Sequence, residues 1–376
     1  QGIYFSVLAG GVSALLQPLL RPLFERAGHA PAVLANEVAY GGTLMLGAFP
    51  VVLMATLATF FTGRGRTKTV LVVNVLVTLV NVGLDWLWIF GHAGFPRAGA
   101  VGAALATIAS HCVGGLCYLV LIFRAREREA HATASSWRFE PDLFRRLLRY
   151  GLPTGMQSSI EILAFAVFMV IVGRIGTAEL AASGLAFNLN MIVFMPMIAI
   201  GIAVSALVAR YLGADQPAVA ERATWSALWA ALVYMLACGA LYVFAPAFLL
   251  APYVAGSEPG ALAEVIPIAV VLLRFVALYS IFDMLNVIFV AALRGAGDTR
   301  YPLLVCFTLA WAAMLIPAYL LCVRGGAGVY TAWWAASAYV ILLGIIMWRR
   351  FEAGRWRSLR IVESHLAELP VQAEPA

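Results

Sequence analysis

The sequence predicts an all-α polytopic membrane protein, a bundle of transmembrane helices arranged as two related lobes. Three observations predict it. Of 376 residues 63% are hydrophobic and only 12% are charged, with a mean hydropathy of +0.91, whereas a soluble domain carries about 25% charged residues. The apolar residues fall in unbroken blocks rather than amphipathic stripes, and an apolar run of about 18 residues or more is long enough to span a bilayer. The basic residues collect in alternate connections between those blocks.

Ten blocks qualify, and each is bounded by charged or turn-forming residues. They cover 3–20, 38–62, 69–91, 98–123, 150–173, 184–209, 223–250, 265–293, 301–323 and 326–348. Pro18, Pro50, Pro196, Pro267 and Pro317 lie inside blocks. Neighbouring helices can satisfy the backbone groups that such prolines free, so the blocks stand. The seventh and eighth are long enough to tilt or bend. The connection 124–149, "RAREREAHATASSWRFEPDLFRRLLR", is the one long charged stretch, and it leaves four blocks before it and six after. A helix beginning near Pro141 is expected to lead amphipathically into the fifth block. Residues 351–376 read as a tail.

Of the 25 Lys and Arg residues, 19 lie in one set of alternate connections and the tail, five in the other set, and Arg274 lies within a block. This bias places the 19 in the cytoplasm, so the net charge of +6 reports topology rather than a nucleic-acid partner. The implied location is the cell's inner membrane, multi-pass, with basic loops and C-terminus cytoplasmic. The five cysteines all fall in apolar blocks without a C-x-x-C pair, as small core residues do. No His, Cys and Asp cluster has metal-ligand spacing, and no Ser-His-Asp arrangement or phosphate-cradling loop stands out. No enzyme, metal or cofactor is expected.

The two sides repeat. "TGRGRTKTVLVV" (62–73) aligns with "RGAGDTRYPLLV" (294–305), so that Gly63, Gly65, Thr67 and Lys68 match Gly295, Gly297, Thr299 and Arg300 at an offset of 232. "AGAVGAALAT" (98–107) loosely echoes "GAGVYTAWWA" (326–335). Both copies follow an apolar block on the cytoplasmic side, which makes the repeat parallel, with its axis along the membrane normal. The second half begins near Leu147, so its partner would lie about 85 residues before Gln1. The expectation is therefore an N-terminally truncated piece of a 6+6 helix protein, with a 4+6 protein as the alternative. The domains expected are an N-terminal lobe of four helices at 1–124, a cytoplasmic linker at 125–149, a C-terminal lobe of six helices at 150–350 and the tail at 351–376.

"LRGAGDTRYP" (293–302), "YGLPTGMQSSIE" (150–161), "LAFNLNMIVFMPMIAIGIAVSALVARYLGA" (185–214) and "NVGLDWLWIFG" (81–91) together resemble the multidrug and toxic compound extrusion (MATE) transporters. The resemblance runs over about residues 1–350 and covers spacing as well as motifs. It implies a MATE-like two-lobe bundle of which this chain carries ten of twelve transmembrane helices, the third through the twelfth.

Four charged residues lie well inside blocks: Asp85, Glu161, Arg274 and Asp283. An acid at mid-helix costs about 2.5–3.5 kcal/mol on insertion scales, and such groups face a bundle interior or a wet cavity. Gln157 lies one turn before Glu161, on the same helix face. The pair reads as a proton or Na⁺ site, or alternatively as a protonated acid bonded to a neighbouring helix. Asp283 has Tyr279 at i−4 and Asn286 at i+3, one polar stripe on an apolar helix. Arg274 is about 13 Å away along that helix, too far to pair, and is expected to snorkel or cap. Asp85 forms an i,i+4 pair with Asn81 and has Thr107 on the next block. It reads either as a second cation or proton site or as an interfacial aspartate among the belt residues Trp86 and Trp88. The resemblance implies that Glu161, Asp283 and Asp85 couple transport to a cation, that Asn81 and Thr107 support Asp85, and that Asn188 matches a recurrent family asparagine. His111 reads as a satisfied core histidine.

A carboxylate in a low-dielectric cavity takes a proton more readily than one in water, and it can equally hold Na⁺ or attract an organic cation. Ion and substrate then exclude one another as the lobes rock to face either side. One charge falling through about 100 mV supplies about 2.3 kcal/mol, roughly a fiftyfold concentration ratio. The expected function is a secondary active antiporter exporting cationic amphiphilic compounds in exchange for H⁺ or Na⁺. Aromatic residues at 12% and 11 methionines suit a cavity for apolar cations. The expected partners are small organic cations and the lipid bilayer, with the protein a monomer. The alternative from the same superfamily is a flippase for lipid-linked oligosaccharides or peptidoglycan precursors, which would be expected to present a cationic cavity. An intramembrane aspartyl protease would need Asp85 and Asp283 face to face.

Overall fold

A computed structural model describes residues 1–26, 31–124, 138–256 and 262–359, and among these there is no β-strand. The helices are α1 (Gly2–Glu25), α2 (Pro31–Leu46), α3 (Ala48–Gly63), α4 (Thr67–Phe90), α5 (Gly99–Ile122), α6 (Pro141–Gly173), α7 (Thr177–Gly213), α8 (Pro217–Phe244), α9 (Pro246–Ala255), α10 (Val265–Gly295), α11 (Arg300–Arg324) and α12 (Val329–Glu352). Nine of these described helices are long and apolar enough to cross a membrane, and ten spans result if the bent pair α2–α3 is one. The chain is a multi-pass membrane protein. The expected linker residues 125–137 and most of the expected tail, from residue 360, lie outside the described residues. Residues 141–149 are helical and run without a break into the rest of α6.

The chain divides into two compact units, Gln1–Arg149 and Tyr150–Ala376. Within the first, α4 lies along α5, while α3 bridges α1 and α5. Phe61 stacks on Tyr118 with ring centres 5.6 Å apart, at the middle of a small apolar core. Within the second unit α10 is the central helix, flanked by α7, α8 and α12. Its core is larger, and it includes Trp333, stacked on Phe187 at 4.9 Å with its indole N–H donating to Ser183 Oγ at 3.0 Å. Buried indole nitrogens require such a partner.

Two spans differ from their sequence-based outlines for local reasons. The second block bends by 46° between α2 and α3. Pro50 has no N–H for the Leu46 carbonyl and its ring crowds that oxygen. The chain therefore breaks at Gly47, where a Cβ would run into the Ile108 side chain. The seventh block ends early, at Phe244. Ala245, forced out of the helical region by Pro246 (φ −131°), separates α8 from the short α9. Along α11, Ala310–Leu315 and Tyr319–Arg324 are π-helical around Pro317, because a residue without an N–H interrupts the ordinary ladder.

The internal repeat is visible atom by atom. Gly65 (φ 73°) and Gly297 (φ 90°) both adopt the left-handed conformation that ends a helix. Gly65 N–H donates to Thr62 O and Arg66 N–H to Phe61 O, at 3.0 and 2.9 Å. At the same offset, Gly297 N–H donates to Arg294 O and Asp298 N–H to Leu293 O, at 3.0 and 2.8 Å. The second copy is further locked. Arg350 Nε donates to Asp298 Oδ2 at 2.8 Å, its guanidinium lies 4.3 Å from the Tyr301 ring centre, and the two charged side chains are 20% and 9% exposed. Removing one member of a largely buried pair strands the other. Arg350→Ala is therefore expected to lower unfolding stability by about 3 kcal/mol, read as a loss of melting temperature in detergent. Arg350→Lys should fall between, keeping charge but losing the planar stack on Tyr301.

Candidate ion-coupling site

Glu161 lies 20 residues into α6, on the second unit's side of that helix. Gln157, one turn earlier and 1% exposed, donates its amide N–H to Glu161 Oε1 at 2.9 Å. The two residues share a face because i and i+4 stack on a helix. A second donor comes from α11, where the Cys306 thiol lies 3.7 Å from Glu161 Oε1, and Cys306 Sγ is also 3.5 Å from the hydroxyl of Tyr339 on α12. Three helices thus converge on one carboxylate.

α10 supplies the remaining charges. Asp283 shares a helix face with Asn286, three residues on, and lies within electrostatic range of Glu161. The buried Tyr279, one turn earlier, interacts with Asp283 in turn. At the C-terminal end of the same helix, Arg294 lies within electrostatic range of Glu161 and Cys306, with no ion pair to Glu161 among the described residues. The arrangement is two acids and one guanidinium among neutral polar groups. Several of those groups still have unused hydrogen-bonding capacity, since Gln157 Oε1, Asn286 Oδ1 and Arg294 Nε are buried without a hydrogen-bond partner among the described residues. Two carboxylates and two carboxamide oxygens are hard donors of the kind a proton, a water or Na⁺ requires.

The expected residues therefore separate into groups. Glu161, Gln157, Asp283, Asn286 and Tyr279 come together. Asn188 does not join them; it is exposed, and its Oδ1 accepts from Tyr253 OH at 3.4 Å. In the first unit, Asn81 Nδ2 and Asp85 Oδ1 are each buried without a hydrogen-bond partner among the described residues. Thr107 spends its hydroxyl on Ala103 O of its own helix at 3.0 Å. No hydrogen bond among the described residues joins Asn81, Asp85 and Thr107. His111 bonds Thr107 O at 2.7 Å, as a satisfied core histidine does. Arg274 is exposed, as snorkelling requires.

Three contributors escape the sequence reading. Arg294 stands at the edge of its apolar block and reads as a loop residue, but α10 continues to Gly295 and keeps its side chain half-buried. Cys306 reads as inert filler, and Tyr339 is 178 positions from Glu161 with no local signal.

The family model described as MatE matches residues 1–87 and 153–320, well over half of the chain. The chain belongs to the MatE family. MatE proteins are transporters, not enzymes. The chain is 29% identical over 333 residues to the probable multidrug resistance protein NorM of Brucella suis, covering 87% of this chain and 70% of that one. It is 28% identical over 352 residues to the multidrug resistance protein NorM of Burkholderia vietnamiensis, covering 93% and 75%. Among solved structures, an outward-facing multidrug resistance MATE transporter superposes with a TM-score of 0.81 at 20% identity, covering 95% of this chain and 78% of that one. A MOP superfamily transporter from Pyrococcus furiosus gives 0.84 at 20% identity, with the same coverage. Both structures share the MatE fold with this chain.

Proposed function

We propose that this MatE protein is a secondary active antiporter, exporting cationic amphiphilic compounds in exchange for H⁺ or Na⁺ by alternating access. The observation that supports it best is the convergence of α6, α11 and α12 on Glu161, with Asp283 of α10 as a second acid within electrostatic range. Such a pair holds one or two positive charges, and what occupies it excludes a second cation by charge and volume. The names of the NorM relatives, multidrug resistance proteins, support the export of toxic organic compounds. On this reading Asp85, with Asn81 and Thr107, is a second, auxiliary cation-coupling site. The protein sits as a monomer in the inner membrane with its basic loops and C-terminus in the cytoplasm, needs no cofactor, and takes small organic cations as its partners. A flippase for pyrophosphate-linked lipids is disfavoured, because two acids outnumber the one arginine at this site.

The protein in liposomes, with a fluorescent organic cation inside or outside, tests the reading. Under an imposed pH gradient or Na⁺ gradient, the dye should move against its own gradient and stop when the ion gradient is collapsed. Dye movement indifferent to both gradients would overturn the antiporter assignment, and transport of a lipid-linked pyrophosphate instead would favour the flippase.

A further inference from the structure

On the second unit, α6 and α11 enclose an open groove of about 340 Å³ whose walls include Val167, Ile171, Trp311, Ile316 and Tyr319. That volume lies within the range of about 300–1,000 Å³ typical of small-molecule sites. Among the described residues the only charged one lining it is Arg174, at the C-terminal end of α6. A second cation flanks the same end, since the Arg324 guanidinium lies 6.0 Å from the ring centre of Tyr319, itself part of the wall. Both arginines are exposed, and neither side chain has a hydrogen bond or ion pair among the described residues. They stand at the helix ends opposite to those carrying Arg294 and Arg349, and they are two of the five basic residues on that side of the chain. From Arg174 back to Val167 the trough runs roughly 10 Å along the helix.

The α11 wall is built from the irregular part of that helix. Trp311 and Leu315 lie in one π-helical stretch, Tyr319 and Leu320 in the next, and Ile316 between them. π-helical turns inside α-helices occur frequently at functional sites. An apolar trough with two unpaired guanidinium groups at one end repels an organic cation at its mouth. It complements a molecule with a long hydrocarbon part and an anionic head. Guanidinium groups bind phosphate oxygens in a two-pronged, charge-assisted geometry.

We propose that this groove is a binding site for an anionic phospholipid. Arg174 and Arg324 hold its phosphate, and one acyl chain lies in the trough toward Val167. The site belongs to the leaflet opposite the basic loops and is independent of how Glu161 handles ions.

Protein stripped of lipid in detergent and then mixed with phosphatidylglycerol or with phosphatidylcholine of identical chains tests it, with retained lipid counted by native mass spectrometry. Wild type should retain phosphatidylglycerol in preference to phosphatidylcholine. The double variant Arg174→Gln, Arg324→Gln should lose about tenfold of that preference, the scale of lost charge-assisted bonds. Arg174→Lys with Arg324→Lys should keep most of it. Leu320→Trp, which fills the trough, should lower retention of both lipids. Equal retention of the two lipids by wild type would overturn the proposal. So would an unchanged preference in the glutamine variant, since the cytoplasmic loops would then be the source. Should the double variant not fold, the single variants Arg174→Gln and Arg324→Gln decide the matter, each losing part of the preference if the proposal holds and none if it fails. No step of the assay reads transport, so failure here is separate from failure of the antiporter reading.

Discussion

Replacing Glu161 with glutamine is expected to abolish gradient-driven accumulation while leaving the protein folded. A one-for-one exchange of monovalent cations moves no net charge, so the wild-type steady state should approach the imposed ion ratio, about tenfold for one pH unit, and Glu161→Gln should bring it to the passive level near unity. Folding should survive because glutamine keeps the shape of glutamate without the cost of a buried charge, and no ion pair to Glu161 exists among the described residues to be broken. Cys306 and Gln157 keep an oxygen to bond. Asp283→Asn should act in the same direction. Because Asp283 interacts electrostatically with Glu161, the double variant should be less than additive, as contacting residues are. Dye efflux from loaded liposomes measures the ratio, and melting in detergent checks the fold. A Glu161→Gln protein that still concentrates dye to the wild-type ratio would remove this carboxylate from the coupling step.

Gly344→Val is expected to be among the most destabilising single changes in the second unit. A Cβ at Gly344 on α12 would meet the backbone O, C and Cα of Phe282 on α10, and backbone atoms cannot swing aside as a side-chain tip can. Overpacking of this kind costs about 1–3 kcal/mol, with valine at the upper end. Phe282 immediately precedes Asp283, so the shift that relieves the clash also displaces the acid. A lower melting temperature and impaired dye efflux should therefore appear together. Gly239→Ala on α8 is the matched control. Among the described residues nothing lies within 4 Å of its Cβ position, and helix propensity favours alanine by about 1 kcal/mol. That variant should be neutral or more stable. Equal melting of Gly344→Val and wild type would mean that α10 and α12 are not held at this distance.

The fold class was legible because it rests on quantities that hydropathy measures directly: unbroken apolar length and the placement of basic residues. The half-site on a single helix was legible too. Gln157 and Glu161 are one turn apart, and so are Tyr279 and Asp283, so helix geometry alone puts each pair on one face. What escaped depends on contacts between helices or on where a helix stops. A charge beside a Gly-rich turn marks the end of a span in the sequence, which puts Arg294 in a loop, while the hydrogen-bonded helix runs on to Gly295. The bend at Gly47 needs Ile108, 61 positions away, to be seen. Asn188 matches a family position only by resemblance, and its partner is Tyr253 on another helix, 65 positions away, while Thr107 bonds the Ala103 carbonyl of its own helix.

The two π-helical stretches of α11 bear on any residue-by-residue reading of that helix. A helical wheel drawn at 3.6 residues per turn advances about 100° per residue, and a five-residue hydrogen-bond step breaks that phase. Angles counted from Arg300 therefore cease to apply beyond Leu309, and again beyond Ala318. Cysteine-scanning or labelling data along 300–324 need three separate phases. Fitted with one, the accessible positions would look scattered although each segment turns a single side to the lipid.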